Sequence, residues 1–163
     1  MRFLTNPSTD PWYNMSFDEY CLEQYPSDDS FFYLWRNAPS VIIGLNQNAY
    51  SEVNLGYLQA HDIRLARRVT GGGAVYHDLQ NLNYTITGRV RDLEQEYPEY
   101  LHTMVRALRT LGVPAELTGR NDIFVDGRAA LRPEGQRGVA ARQELLQGGL
   151  QLVKPPESGQ KVL

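Results

Sequence analysis

The stretch from Arg67 to Asp78, RRVTGGGAVYHD, sets two arginines and three consecutive glycines ahead of a short apolar run. Three glycines remove every side chain that would keep a ligand from the backbone. They tolerate positive φ and leave N–H groups able to converge on an anion. Arg67 and Arg68 add planar guanidinium forks that suit phosphate or carboxylate. No GK[ST] follows, and no GxGxxG opens a long helix, so neither a Walker loop nor a dinucleotide-binding fold is indicated. An ordinary tight turn uses the same glycines. Both readings stand on these residues alone, and the flanking chain has to separate them.

Working outward, IRLAR (63–67) alternates as a strand running into the glycines, and AVYHD (74–78) reads as a strand leaving them. Upstream, FFYLWR (31–36) and SVIIG (40–44) read as strands separated by an Asn37-Ala38-Pro39 turn. Residues 50–61 suit a helix weakened by Gly56. Asp10-Pro11 is a helix start, with an acceptor at the cap and proline in the first turn. The segment after it puts Phe17, Tyr20, Cys21 and Tyr25 on one face.

Downstream, Leu82, Tyr84 and Ile86 alternate with polar residues as a half-buried strand. Leu101, Met104, Val105, Leu108 and Leu111 follow Pro98 at helical spacing, with Gly112 at the C-cap. NDIFVDGR ends in an Asp126-Gly127 hairpin signal. This irregular order of strands and helices predicts an α+β fold, a mixed sheet flanked by helices.

The formal charge of -3 argues against a nucleic-acid binder, and no apolar run is long enough to span a bilayer. Nothing at Met1 resembles a secretory signal, and the single cysteine, Cys21, cannot form an internal disulfide, so a cytoplasmic protein is expected. The 17 aromatic residues all fall within 1–128, as do all nine asparagines and all nine aspartates, whereas the only lysines are Lys154 and Lys161. Residues 129–163 are thus compositionally foreign to the body. They are expected to form a separate, poorly ordered tail with at most one helix, near 138–147.

Taken together, Asp10-Pro11-Trp12-Tyr13-Asn14, Leu34-Trp35-Arg36-Asn37, Val41 to Gly44, Gln47-Asn48, Arg67 to Asp78, Asn81 and Gly119-Arg120-Asn121-Asp122 resemble the lipoate–protein ligase family in order and spacing. The resemblance implies a catalytic domain of the biotin/lipoate ligase type, class II synthetase-like, spanning 1–128 as its N-terminal part. It implies ATP-dependent activation of lipoate to lipoyl-AMP and transfer to a lysine of a lipoyl acceptor domain, in 2-oxoacid dehydrogenase subunits or the glycine-cleavage H protein. By family position Arg68 contacts the nucleotide or acyl phosphate, Gly71 and Gly72 set the turn, and Gly73, Ala74, Val75 and Tyr76 line the ATP site. Asn121 and Asp122 either help hold Mg²⁺ or a ribose hydroxyl, or cap the turn into their strand. His77 and Asp78 either tune the pocket or form a hydrogen-bonded pair that shapes the strand end. Trp35 and Tyr84 either wall the lipoyl chain or belong to the core.

The sequence departs from the family after residue 128. A catalytic lysine is expected beyond the NDI strand, but Ala129 stands there, so no catalytic residue is assigned. Loss of the family pattern at the compositional break is what truncation or a changed reading frame leaves, and a K-x-SG continuation in another frame of the coding DNA is then expected. Two other functions stay open. One is an octanoyl or lipoyl acyltransferase working through a Cys21 thioester. The other is an inactive ligand-binding fragment.

Overall fold

The computed structural model describes residues 2–24, 30–88, 93–118, 122–136 and 144–151; the side chains of 87–88, 93–97, 122, 128–136 and 144–151 lie outside the description. Two sheets organise the described residues. The larger has seven strands in the order β1 (Arg2–Phe3), β2 (Phe31–Trp35), β6 (Asn81–Gly88), β10 (Glu144–Gln151), β9 (Arg128–Gln136), β8 (Asp122–Val125) and β7 (Ala115–Thr118). The smaller runs β4 (Arg64–Arg67), β3 (Ser40–Ile43), β5 (Val75–His77). The β1–β2 and β3–β4 pairs are parallel and the rest antiparallel, which is the mixed α+β arrangement expected.

Alternation along β2 and β6 divides the interior. Tyr84 and Ile86 turn to one side of the large sheet, where Val105 and Leu108 of helix α4 (Leu93–Thr110) cover them together with Ala115 and Ile123. Each valine, leucine or isoleucine among them contributes roughly 1.5–3 kcal/mol when fully buried. Leu111 falls outside this stripe at 79% exposure, because the helix has already ended and Gly112, at φ 81, turns the chain away. On the other side of the sheet, Phe31, Tyr33 and Trp35 pack with Met15 and Cys21 of helix α1 (Pro11–Gln24) and with Ile42 and Ala66 of the small sheet. Strand β3 is buried along its whole length. Its Val41 and Ile43 meet Val53 and Leu58, from the segment carrying helices α2 (Ala49–Glu52) and α3 (Leu55–Ala60).

Asp10 caps α1 as its sequence indicates, its Oδ1 accepting from Trp12 N and Tyr13 N, each at 2.9 Å. The buried face of α1 is not the aromatic one, however. Asn14, Met15, Asp18, Cys21 and Leu22 point inward while Tyr20 stays 57% exposed; Tyr25 lies outside the described residues. The inward stripe contains two polar residues, so apolar periodicity misassigned it. The single helix expected over 50–61 is two short ones, because Asn48 and Asn54 each start a new N-cap and Gly56 breaks nothing.

The Asp126-Gly127 hairpin forms with both residues at positive φ, 50° and 72°. No helix forms over the described part of 138–147. Residues 144–151 are a strand paired on both sides, with β6 and β9, where a loose tail was expected. Cross-strand pairing overrides the poor strand propensity of this Gly- and Gln-rich segment.

Candidate functional site: a glycine loop with its carbonyls turned inward

Between β4 and β5 the chain doubles back over the C-terminal end of β3. Arg68 follows β4 and is nearly sealed, at 3% exposure. Its Nε and Nη2 donate to Gly71 O (3.0 and 2.7 Å), Nη2 also to Gly73 O (2.9 Å), and Nη1 to Ile42 O (3.2 Å). Leu45 N adds a bond to Thr70 O at 2.8 Å. Arg67 does the equivalent for the facing loop, its Nη1 donating to Gly44 O (2.8 Å), Leu45 O (3.0 Å) and Gln47 O (2.7 Å), while Gln47 Oε1 accepts from Gly44 N at 2.8 Å.

Gly44 is required by this packing. A Cβ there would collide with the Gly72 carbonyl oxygen and sit 3.0 Å from the Gly71 carbonyl carbon. Gly72 in turn has φ 94, a region that side chains rarely adopt. So the carbonyls of Gly71 and Gly73 point at Arg68, and that of Gly72 points at Gly44. No peptide among the described residues is cis, and in a trans peptide the next N–H points opposite to the carbonyl. The N–H groups of Gly72 and Ala74 therefore face away from Arg68 and that of Gly73 away from Gly44, in a loop whose Gly72 and Gly73 are exposed. A Cβ on Gly73 would meet nothing within 4 Å. Successive outward N–H groups of this kind bind anions.

Beyond the loop, β5 splits its side chains between two faces. Ala74 and Tyr76 pack toward Val41 and Ile43, whereas Val75 packs with Trp35 and Ile42. His77 lies edge-on to Trp35, with centroids 5.9 Å apart. Its Nδ1 lies 3.2 Å from Asn37 Nδ2. Burial first, then the charge of Arg68, lowers the His77 pKa to about 4, against a smaller opposing effect of Asp78. The imidazole is thus neutral at physiological pH. Asp78 Oδ1 accepts from Gln80 N at 2.8 Å, a local turn bond. Burial raises the Tyr76 phenol, helped by Asp78 and Tyr57, so it stays protonated.

The Trp35 indole Nε1 donates to Thr85 Oγ1 (2.9 Å), which donates to Asp18 Oδ1 (3.1 Å). Asp18 is fully buried, and burial raises its pKa against the lowering effect of the Thr85 bond. Tyr84 does not join Trp35 as a candidate pocket wall. It sits on the opposite face of β6 among the α4 core residues, because β6 alternates and it is Asn83 that pairs with Trp35.

Asp122 opens β8, but its side chain lies outside the description; Asn121 lies outside the described residues altogether. Among the described residues no group of three His, Cys, Asp or Glu side chains is placed to hold a metal ion. Ala129 is part of β9. Cys21 is fully buried, and burial and neighbouring Asp18 push its thiol up to about 12, so it offers no thiolate near neutral pH.

Gly44, Asn14 and Asn37 have roles that their motifs do not single out. The signals were available in part: a glycine at a strand end marks a close backbone approach, and asparagines in a helix and a turn mark local bonding.

Comparison with known proteins matches residues 10–133 to the lipoyl protein ligase A/B catalytic domain. The chain belongs to this family. Lipoate–protein ligase 1 of Staphylococcus aureus is 46% identical over 127 residues, 77% of this chain and 39% of that protein. Lipoate–protein ligase LplJ of Bacillus subtilis is 43% identical over 130 residues, 78% of this chain and 39% of that protein. The chain thus spans about two fifths of the length of these relatives.

Among solved structures, a lipoate–protein ligase A bound with ATP superposes with TM-score 0.82 at 28% identity, covering 94% of this chain and 67% of that one. LipL1 of P. falciparum in complex with lipoate gives 0.77 at 28%, covering 92% and 47%. A bipartite lipoate protein ligase of Thermoplasma acidophilum, described with its E2 lipoyl domain, gives 0.77 at 30%, covering 94% and 62%. The matched span includes the glycine loop and the strands on either side of it.

Proposed function

We propose that this chain carries the acyl-adenylating part of a lipoate–protein ligase, which activates lipoate with ATP to lipoyl-AMP and pyrophosphate. The acyl group then passes to a lysine of a lipoyl acceptor domain, of the kind found in 2-oxoacid dehydrogenase subunits or the glycine-cleavage H protein. One observation carries this reading. Three carbonyls are turned inward onto Arg68 and Gly44, which turns the N–H groups of Gly72, Gly73 and Ala74 the other way, and in this reading they meet the charge that builds on the α-phosphate. Arg68 then acts on the phosphate indirectly, by setting the loop, and Val75 and Tyr76 support it from two sides. Relatives that bind ATP or lipoate support the choice of substrates.

Mg²⁺ is proposed to accompany ATP on its phosphate oxygens, with Asp122 and Asn121 as candidate neighbours. Residues 1–128, together with β9 and β10 that complete the same sheet, are proposed as the N-terminal part of the catalytic domain, working in the cytoplasm; no described helix is long and apolar enough to cross a membrane. Ala129 stands where the family pattern has lysine, and losing one such donor costs ~10²–10³ in rate. Adenylation by this chain alone is therefore expected to be slow.

The test is lipoate-dependent exchange of labelled pyrophosphate into ATP. Slow exchange that rises at least tenfold in Ala129→Lys supports the reading. Binding of a lipoyl-adenylate mimic without exchange in either form would make the chain a ligand-binding fragment. The thioester acyltransferase is disfavoured by the sealed, protonated Cys21.

A further inference from the structure

The Asn14 carboxamide can be oriented without ambiguity. Its Nδ2 lies 3.0 Å from Arg36 O, 3.3 Å from Ser8 O and 2.7 Å from Asn37 Oδ1. Peptide carbonyls only accept, so the atom facing two of them is the nitrogen. Its oxygen accepts from Asn6 Nδ2 at 2.9 Å. With the Asn14 nitrogen fixed, the Asn37 atom 2.7 Å away must be the oxygen, and the other end of Asn37 must be its NH₂. That NH₂ faces His77 Nδ1 at 3.2 Å. A carboxamide nitrogen donates and cannot accept, so Nδ1 is the bare acceptor and the ring proton sits on Nε2. Asn14 and Asn37 are 1% and 0% exposed, which keeps water from exchanging with either.

We propose that the Asn14–Asn37 relay locks His77 as the neutral Nε2–H tautomer, so that it meets the acyl-adenylate only as a hydrogen-bond donor and never as a base. Asn37 is then a positioning residue, and His77 a donor to an oxyanion of the acyl or phosphoryl group. Neither ring nitrogen can take up a proton in this state: Nδ1 spends its lone pair on Asn37, and Nε2 is already protonated. Two charged groups act on the ring. The Arg68 guanidinium opposes protonation, and Asp78, next along the chain, favours it. A neutral ring adds no second positive charge to the surroundings of Arg68, whose guanidinium acts on it. The role in catalysis rests on the ligase reading; the tautomer does not.

The experiment is a long-range ¹H–¹⁵N correlation spectrum of the full ¹⁵N-labelled chain, in which three histidines, 61, 77 and 102, give signals. The His77 signal is assigned by its loss in His77→Gln. At pH 7 the expected pattern is an unprotonated Nδ1 and a protonated Nε2 for His77. A protonated Nδ1, alone or together with Nε2, overturns the proposal. Asn37→Asp replaces the donor with a carboxylate acceptor and is expected to move the proton to Nδ1. An unchanged pattern in a folded Asn37→Asp also overturns it. If that variant does not fold, the wild-type spectrum still decides. Binding of a non-hydrolysable lipoyl-adenylate mimic is read in parallel, with a loss of about tenfold or more expected when the tautomer flips. Unchanged affinity with a flipped tautomer removes the positioning role. A wild-type chain that shows the expected tautomer but does not bind the mimic defeats the ligase reading and leaves the relay standing.

Discussion

Arg68 offers a quantitative test of how the loop is held. Arg68→Ala removes two bonds to Gly71 O, one to Gly73 O and one to Ile42 O. Hydrogen bonds to a charged partner contribute about 1.5–3 kcal/mol each when nothing replaces them. Here the losses are unequal. Gly73 is exposed and Gly71 half-buried, so water takes over the loop carbonyls and little is lost there. Ile42 O lies in buried β3, and leaving it unpartnered costs about 1–3 kcal/mol. Releasing a buried charge offsets part of this. The net expectation is a loss of about 1–2 kcal/mol, or roughly 2–8 °C in Tm for a chain of this size. Affinity for a lipoyl-adenylate mimic should fall at least tenfold, because the loop can then turn its carbonyls outward.

Arg68→Lys keeps the charge but loses the fork, and should behave nearly like the alanine variant. Gly44→Ala leaves Arg68 intact yet pushes Gly72 away, and should weaken mimic binding with Arg68 still in place. Differential scanning calorimetry and isothermal titration calorimetry read both quantities. Wild-type affinity in Arg68→Lys, or in a folded Gly44→Ala, would refute the inward-carbonyl account.

Asp18 titrates with a sign that can be checked. Burial raises its pKa, so its stabilising neutral form is fully present below the unfolded value of 3.8 and is lost as pH rises through the folded value. Asp18→Asn, which retains an acceptor for Thr85, should be more stable than wild type at pH 7 and converge with it on acidification. Urea melts across that range showing a gap that widens toward acid would contradict this. Cys21, with its thiol near 12 instead of 9.0, carries about a thousandfold less thiolate than an ordinary cysteine. Iodoacetamide should label it far more slowly in the native chain than in urea, and equal rates would show the thiol is not sealed. Asn83 is 1% exposed with neither amide atom hydrogen-bonded. Asn83→Leu, close in shape, is expected to raise Tm by about 2–4 °C, on the order of 1 kcal/mol, and a lower Tm would show that the amide has a stabilising role.

What could be read from the sequence was mostly local. The Asp10 cap, the Asp126-Gly127 hairpin, the Leu101–Val105–Leu108 stripe and the glycine loop each carry their cause within a few residues. The direction of Arg68 does not. A guanidinium beside three glycines suits an external phosphate and an internal carbonyl cluster equally well, and only the approach of β3 decides between them. Asn14 and Asn37 read as ordinary helix and turn residues because their partners are Arg36 O and His77, far along the chain or across a turn. Asp18 broke the apolar face of α1 because its partner, Thr85, lies 67 residues away. The tail strands were missed for the same reason, since the ladders with β6 and β8 that hold them are made by residues elsewhere.

The position of β10 has a consequence for biosynthesis. Among the described residues it is the last strand in sequence, yet it fills the gap between β6 and β9, in the middle of the large sheet. As the polypeptide leaves the ribosome, β6 can zip to β2 early but keeps a bare hydrogen-bonding rim until residue 151 has emerged. A nascent chain stalled before that point would present an open template for intermolecular pairing, the situation in which holdase chaperones become necessary.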